Sequence, residues 1–185
     1  MGQFQPVKKQ NPMRRANKKV RPNTVNIKLI QANVDGYTSK KESMCEIAND
    51  ERPDIITVND TAIKGAMKVK IPNYFCYSKN REKNKGGVAT VVAEYLKPNT
   101  RKVADGREGD EYIITRIDVT VPAINIVNIY GSQEGRTERY EIEKSWLRLM
   151  EDIKQIEDRN EDVLIIGDLN RAVGSDTWGV KGNKN

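Results

Sequence analysis

Side chains able to do polar chemistry recur at the ends of apolar runs in this chain: Asn33 with Asp35, Asp60, Tyr130, and Asp168 with Asn170. A carboxylate and an amide two residues apart can bind a cation, a hydroxyl or a water, and they suit little apolar substrate. Each site also has a plainer reading. Gly-Asp-Leu-Asn at 167 to 170 can be an Asx turn that closes a strand, Asn-Asp-Thr at 59 to 61 an ordinary turn or helix cap, and Tyr130 a structural tyrosine. The chain contains no histidine, which excludes every Ser-His, Cys-His or His-base mechanism built from this chain alone. Acid and base work would fall to carboxylates, Tyr, Lys or metal-bound water.

The elements that must position these residues follow from the apolar pattern. Val163-Leu-Ile-Ile166, four apolar residues ended by Gly167, reads as a central strand buried on both faces. Asp168 and Asn170 would then leave its C-terminal edge, where open α/β sheets hold their ligands. Residues 25 to 33 read as a first strand running into Asn-Val-Asp-Gly. Ser39 and Glu42 have the spacing of a capping box for a short helix that ends near Asn49, with Met44, Ile47 and Ala48 on one face. Residues 55 to 58 and 74 to 77 are further strands. Gly86-Gly87 opens a β-branched strand over 88 to 93, and the glycine pair either lets backbone approach a ligand or simply begins the strand. Pro98 to Asp110 reads as a charged loop, and 112 to 119 with 123 to 130 as a hairpin. Residues 141 to 158 are the best helix: Ile142, Trp146, Leu149, Ile153 and Ile156 share one face. Strand, helix and strand in succession, with polar residues at the C-terminal ends, predict a layered α/β domain.

The totals allow one domain in 185 residues, 31% of them charged and 37% hydrophobic. No apolar run approaches the roughly 20 residues of a membrane span, and no signal peptide is evident, so an intracellular protein is expected, with the nucleus a compatible location. Cys45 and Cys76 lack CxxC spacing, which argues against zinc and against disulfide pairing; both are expected to be buried thiols. The net charge of +6 sits in the first 24 residues, which hold seven basic residues and no acid, leaving the remainder at −1. This basic arm, 1 to 24, is expected to be disordered and able to contact phosphate backbones; a mere solubilising leader fits it as well. The domain proper is expected over 25 to 185.

The motifs in their order resemble the endonuclease/exonuclease/phosphatase superfamily, and most closely the apurinic/apyrimidinic-like endonuclease domains of non-LTR retrotransposons. Asn-Val-Asp-Gly at 33 to 36 and Gly-Asp-Leu-Asn at 167 to 170 look like the first and the later family motifs. Gly86-Gly87-Val-Ala89 and Asn128-Ile-Tyr130 are similar to the central ones, and the likeness covers roughly 25 to 175. It implies a four-layer α/β sandwich, incomplete at its C-terminal end, and a Mg²⁺-dependent endonuclease (with Mn²⁺ an alternative ion) that hydrolyses DNA phosphodiester bonds. By the same resemblance Asp35 and Asp60 help hold the ion, Asn33 and Asn170 bind phosphate or the attacking water, Asp168 orients or deprotonates that water, and Tyr130 supports the phosphate. Lys83, Lys85 and Arg171 are the basic residues expected to meet nucleic acid.

Two departures from the family pattern stand out. Position 60 carries Asp where the family has Glu, one methylene shorter, which would shift the ion or place a water between. The family's later Asp and its terminal Asp-His pair have no counterpart, so this chain would be of low or lost activity. The alternatives are a non-catalytic nucleic-acid-binding remnant and a phosphatase on the same scaffold.

Overall fold

Alternation decides which side of each strand is buried, and two sheets face one another because their inner faces are apolar at one end. The computed structural model describes residues 25–81, 86–131 and 139–170. The basic arm, Lys83, Lys85, Arg171 and Trp178 lie outside the described residues. The first sheet joins β1 (Leu29–Asn33), β2 (Ile55–Asn59), β3 (Tyr74–Lys79) and β4 (Val88–Ala93) in the order β1-β2-β4-β3. The second joins β5 (Thr100–Asp105), β6 (Tyr112–Ile117), β7 (Ile124–Tyr130) and β8 (Asp162–Asp168) in sequence order. β1 runs parallel to β2 and β7 parallel to β8; the other pairs are antiparallel.

Between the sheets lie Ile55, Val92, Ile117 and Ile126, with Ile124 and Ile166 packed beside them. The alternate residues of the same strands face outward. Ile56, Val58, Ala89 and Val91 pack under helix α1 (Tyr37–Glu51) through Tyr37, Met44 and Ala48. Tyr112, Ile114, Val127 and Ile129 pack under α2 (Arg139–Glu157) through Leu149, Ile153 and Ile156, with Trp146 half-buried alongside. Helix, sheet, sheet and helix make the four-layer α/β sandwich. Each fully buried Ile or Leu removes enough apolar surface from water to contribute about 1.5–3 kcal/mol, so both inner and outer seams hold the layers together.

Three sequence expectations change. The expected 98–110 loop begins in the last two residues of a 3-10 turn (Glu94–Asn99) and contains the strand β5, whose Arg101, Lys102 and Val103 are exposed. β5 is an edge strand, paired on one side only with a bulge between Lys102 and Ala104, so it carries no apolar alternation to read. The capping box does not form: α1 begins at Tyr37, its N-cap Gly36 has no side-chain cap, and Ser39 Oγ donates back to Gly36 O. Burial of Tyr37, whose hydroxyl donates to Lys70 O at 2.6 Å, starts the helix three residues early, with Gly36 rather than Ser39 at the N-cap. β8 is not central among the described strands but an edge, with Leu164 and Ile165 44% and 49% exposed. Of the two cysteines, Cys76 is buried and Cys45 half-buried.

Candidate active site

Following the inner faces toward the C-terminal ends of the strands, apolar residues give way to polar ones. On β2 the sequence Ile55, Thr57, Asn59 points inward, and on β7 Ile126 is followed by Asn128 and Tyr130. Asn59 and Asn128, both fully buried, tie the sheets together: Asn59 Nδ2 donates to Asn128 Oδ1 at 2.9 Å and to Ile129 O at 3.0 Å. Asn59 Oδ1 accepts from Gln31 Nε2, and Asn128 Nδ2 donates to Ala89 O at 2.8 Å. A buried amide is stable only with its hydrogen bonds made, and these are made across the layer boundary. Sequence reading missed both roles. Asn128 was legible as the start of the Asn128-Ile-Tyr130 motif and as a polar break in an apolar strand, not as a tie between sheets.

Above this bracket the candidate residues meet. Backbone bonds from Val34 N to Asn59 O, Gly36 N to Asp60 O and Tyr37 N to Thr61 O strap the 33–37 turn onto the end of β2. Asn33 Nδ2 donates to Asp168 Oδ2 at 2.5 Å, and Asn170 N donates to Asp168 Oδ1 at 2.9 Å. Asn170 Nδ2 donates to Gly131 O, its side chain bonds Tyr130, and the Tyr130 hydroxyl donates to Asp60 Oδ2 at 3.3 Å. Asp60 Oδ1 takes the Gly86 N–H at 2.7 Å. Asn33, Asp168, Asn170, Tyr130 and Asp60 therefore form one hydrogen-bonded chain. Asp35 stands on its exposed rim, its N–H turned to Asn33 Oδ1. Gly167 is required where β8 ends: its φ is +144° and a Cβ there would collide with Ile129 O.

The electrostatics follow burial. Burial raises the pKa of Tyr130 despite its bond to Asn170, and the negative charge of Asp60 adds to the rise. Tyr130 is thus a neutral hydrogen-bond donor at physiological pH. Glu111, which the sequence reading did not single out, lies beside these groups with its side chain 3% exposed. Its pKa is raised by burial, against the Gly87 N–H and the Arg81 guanidinium. Glu111 and Gly87 also line a cavity of about 340 Å³ with Lys79 and Arg81 in its wall.

The donor set is all oxygen and amide, which suits a hard divalent ion. Among the described residues no cluster of three or more Cys, Asp or Glu side chains gathers to hold one. Mg²⁺ needs no such cage, because it keeps several waters and binds through one or two carboxylates plus substrate phosphate. Asp60 and Asp168 are the carboxylates in the hydrogen-bonded chain. Asp60 is only 5% exposed and its long bond from Tyr130 leaves lone pairs unused.

A four-layer sandwich with carboxylates, amides and a tyrosine at the strand ends defines a class of hydrolase scaffold, and the comparisons name it. Residues 25–179 match the model of the Endonuclease/Exonuclease/phosphatase family, and the chain belongs to that family. Among solved structures it is similar to the 3' phosphatase NExo from Neisseria, bound to a product DNA hairpin. The identity is 16% and the TM-score 0.60, over 81% of this chain and 60% of that one. An AP endonuclease from Archaeoglobus fulgidus matches at 20% identity and TM-score 0.57, over 81% and 60% of the two chains. The endonuclease domain of TRAS1, a telomere-specific non-LTR retrotransposon, matches at 16% identity and TM-score 0.58, over 85% and 66%. The chain thus spans about 60% of the length of the first of these structures. No curated protein sequence matches it.

Proposed function

We propose that the chain is a divalent-metal-dependent endonuclease domain of the retrotransposon type, cutting a DNA phosphodiester by attack of water. The observation that carries the reading is the continuous hydrogen-bonded chain from Asn33 through Asp168, Asn170 and Tyr130 to Asp60. Asp168 has both oxygens oriented by neutral amides, so its carboxyl is placed to align a water and take its proton. The neutral Tyr130 hydroxyl and the Asn33 and Asn170 amides supply hydrogen bonds to phosphate oxygens without adding negative charge. Asp60, Asp168 and the rim Asp35 would hold Mg²⁺ or Mn²⁺, which when bound neutralises charge developing on the phosphate. Lys83, Lys85, Arg171 and the basic arm supply the cations for the DNA backbone, with a steep salt dependence. Structures of this fold include a 3' phosphatase bound to a DNA hairpin, an AP endonuclease and a retrotransposon endonuclease domain, and these support a nucleic-acid phosphoester as substrate. A nuclear or other intracellular setting accords with such a substrate.

The test is nicking of supercoiled plasmid with Mg²⁺ or Mn²⁺, and its loss in Asp168→Ala. Failure of the wild-type chain to nick with either ion overturns the reading. A second reading, a non-catalytic nucleic-acid binder, is favoured by the deep burial of Asp60. It requires DNA affinity that falls steeply with salt and is unaffected by Asp168→Ala.

A further inference from the structure

Two consecutive amides, Gly86 N–H and Gly87 N–H, are held by two different carboxylates. Gly86 N donates to Asp60 Oδ1 at 2.7 Å and Gly87 N to Glu111 Oε2 at 2.8 Å. Both glycines sit at positive φ, +104° and +87°, and a Cβ on Gly86 would fall onto the Glu111 carboxylate. The turn is thus shaped around Glu111 as closely as around Asp60. Its carbonyls are also used, accepting from Thr61 N and Ala62 N. Glu111 is itself anchored on both sides: its Oε1 pairs with Arg81 Nη1, and its backbone O accepts from Tyr130 N at 2.8 Å.

We propose that Glu111 is a positioning residue for Asp60, acting through the Gly86–Gly87 turn, with Arg81 holding the Glu111 carboxylate in place. The planar peptide between the two glycines carries Gly86 O, which accepts from Ala62 N, and Gly87 N–H, which donates to Glu111. With that plane held at both atoms, only the φ and ψ of Gly86 separate it from the Gly86 N–H that orients Asp60. Asp60 is one methylene shorter than a glutamate and has little reach of its own, so its placement depends on the turn. Its other oxygen, bonded by Tyr130, is then set relative to Asn170 and Asp168. Glu111 touches no reacting atom in this scheme. Its bearing on catalysis rests on the endonuclease reading; its effect on the turn does not.

The experiment measures amide hydrogen exchange at Gly86 and Gly87 by NMR on the full 185-residue chain, for wild type, Glu111→Asp and Glu111→Gln. Glu111→Asp keeps the charge but withdraws the carboxylate from Gly87, and is expected to speed exchange at both amides by about tenfold. Glu111→Gln keeps an oxygen acceptor at full length, so Gly86 protection should stay within about threefold of wild type. Under the endonuclease reading, Glu111→Asp lowers kcat for plasmid nicking by about tenfold and leaves KM nearly unchanged, and Glu111→Gln restores most of it. Faster exchange at Gly87 alone, or at neither glycine, in folded Glu111→Asp overturns the proposal. So does a normal kcat when both amides respond. If wild type does not nick DNA at all, the endonuclease reading falls, while the exchange rates still decide whether Glu111 sets the turn.

Discussion

The Asn33 amide and the Asp168 carboxylate, 135 positions apart in the chain, share a hydrogen bond of 2.5 Å. It joins the end of an edge strand in one sheet to the end of an edge strand in the other, and so closes the mouth of the sandwich. Groups that act as a unit lose activity non-additively. Asp168→Ala is expected to reduce metal-dependent nicking by at least about a hundredfold. Adding Asn33→Ala to it should cost little more than Asp168→Ala alone. Initial rates for the two single variants and the double variant decide this; independent, additive losses would show that the contact does no shared work.

The Asn59 amide is expected to matter for stability as much as for the site. Asn59→Ala leaves the buried Asn128 Oδ1 without its donor, and an unsatisfied buried polar group of this kind costs about 1–3 kcal/mol. Thermal unfolding should move down by several degrees, while Gln31→Ala, at the exposed end of the network, should shift it less. Equal shifts would mean that the bracket between the sheets is not where the energy lies.

Asp110 and Arg148 give a pH signature. Burial alone would raise the Asp110 pKa, but hydrogen bonds from Arg148, Ser145 and the Arg107 N–H, with the Arg148 charge, bring it below its ordinary 3.8. The unfolded state therefore takes up the proton first as pH falls. The stability contributed by Asp110 is complete above pH 3.8 and is lost as pH drops through the lower folded value. Urea unfolding of wild type and Asp110→Asn across acidic pH should show the two curves converging at the acid end. A stability gap that widens toward low pH would contradict this sign.

The outer edge of β8 is expected to self-associate. Among the described residues no strand pairs with the outer edge of β8, and half-exposed Leu164 and Ile165 lie along it, so backbone groups and apolar side chains are presented together. Ile165→Lys should reduce association of the chain in sedimentation velocity at micromolar concentration without lowering its unfolding temperature by more than a degree or two. Unchanged association would show that this edge takes no part in it.

Much of the site was legible as residue types. Asn33, Asp168, Asn170, Tyr130 and Asp60 are marked in the sequence because a polar group after an apolar run signals a strand ending in a turn. Asp35 was legible too, yet the structure leaves it on the rim. Glu111 and Asn59 were not legible. Glu111 follows an acidic loop and looks like another solvated charge until the fold buries it against Gly87. Asn59 is one polar residue at the end of a strand, and its Nδ2 finds its partners only on the second sheet, about 70 residues later. β5 escaped notice because an exposed edge strand needs no apolar period.

What the sequence determined by itself is local: where strands and helices run, since side-chain period and turn chemistry act over a few residues. The four apolar residues before Gly167 specified a strand of buried type, yet their place at a sheet edge came from pairing with β7 alone. Tertiary structure decided which polar side chains meet at one end of the sandwich. Register between strands and packing between sheets bring distant residues within hydrogen-bond reach, and neither is written in any single stretch of the chain.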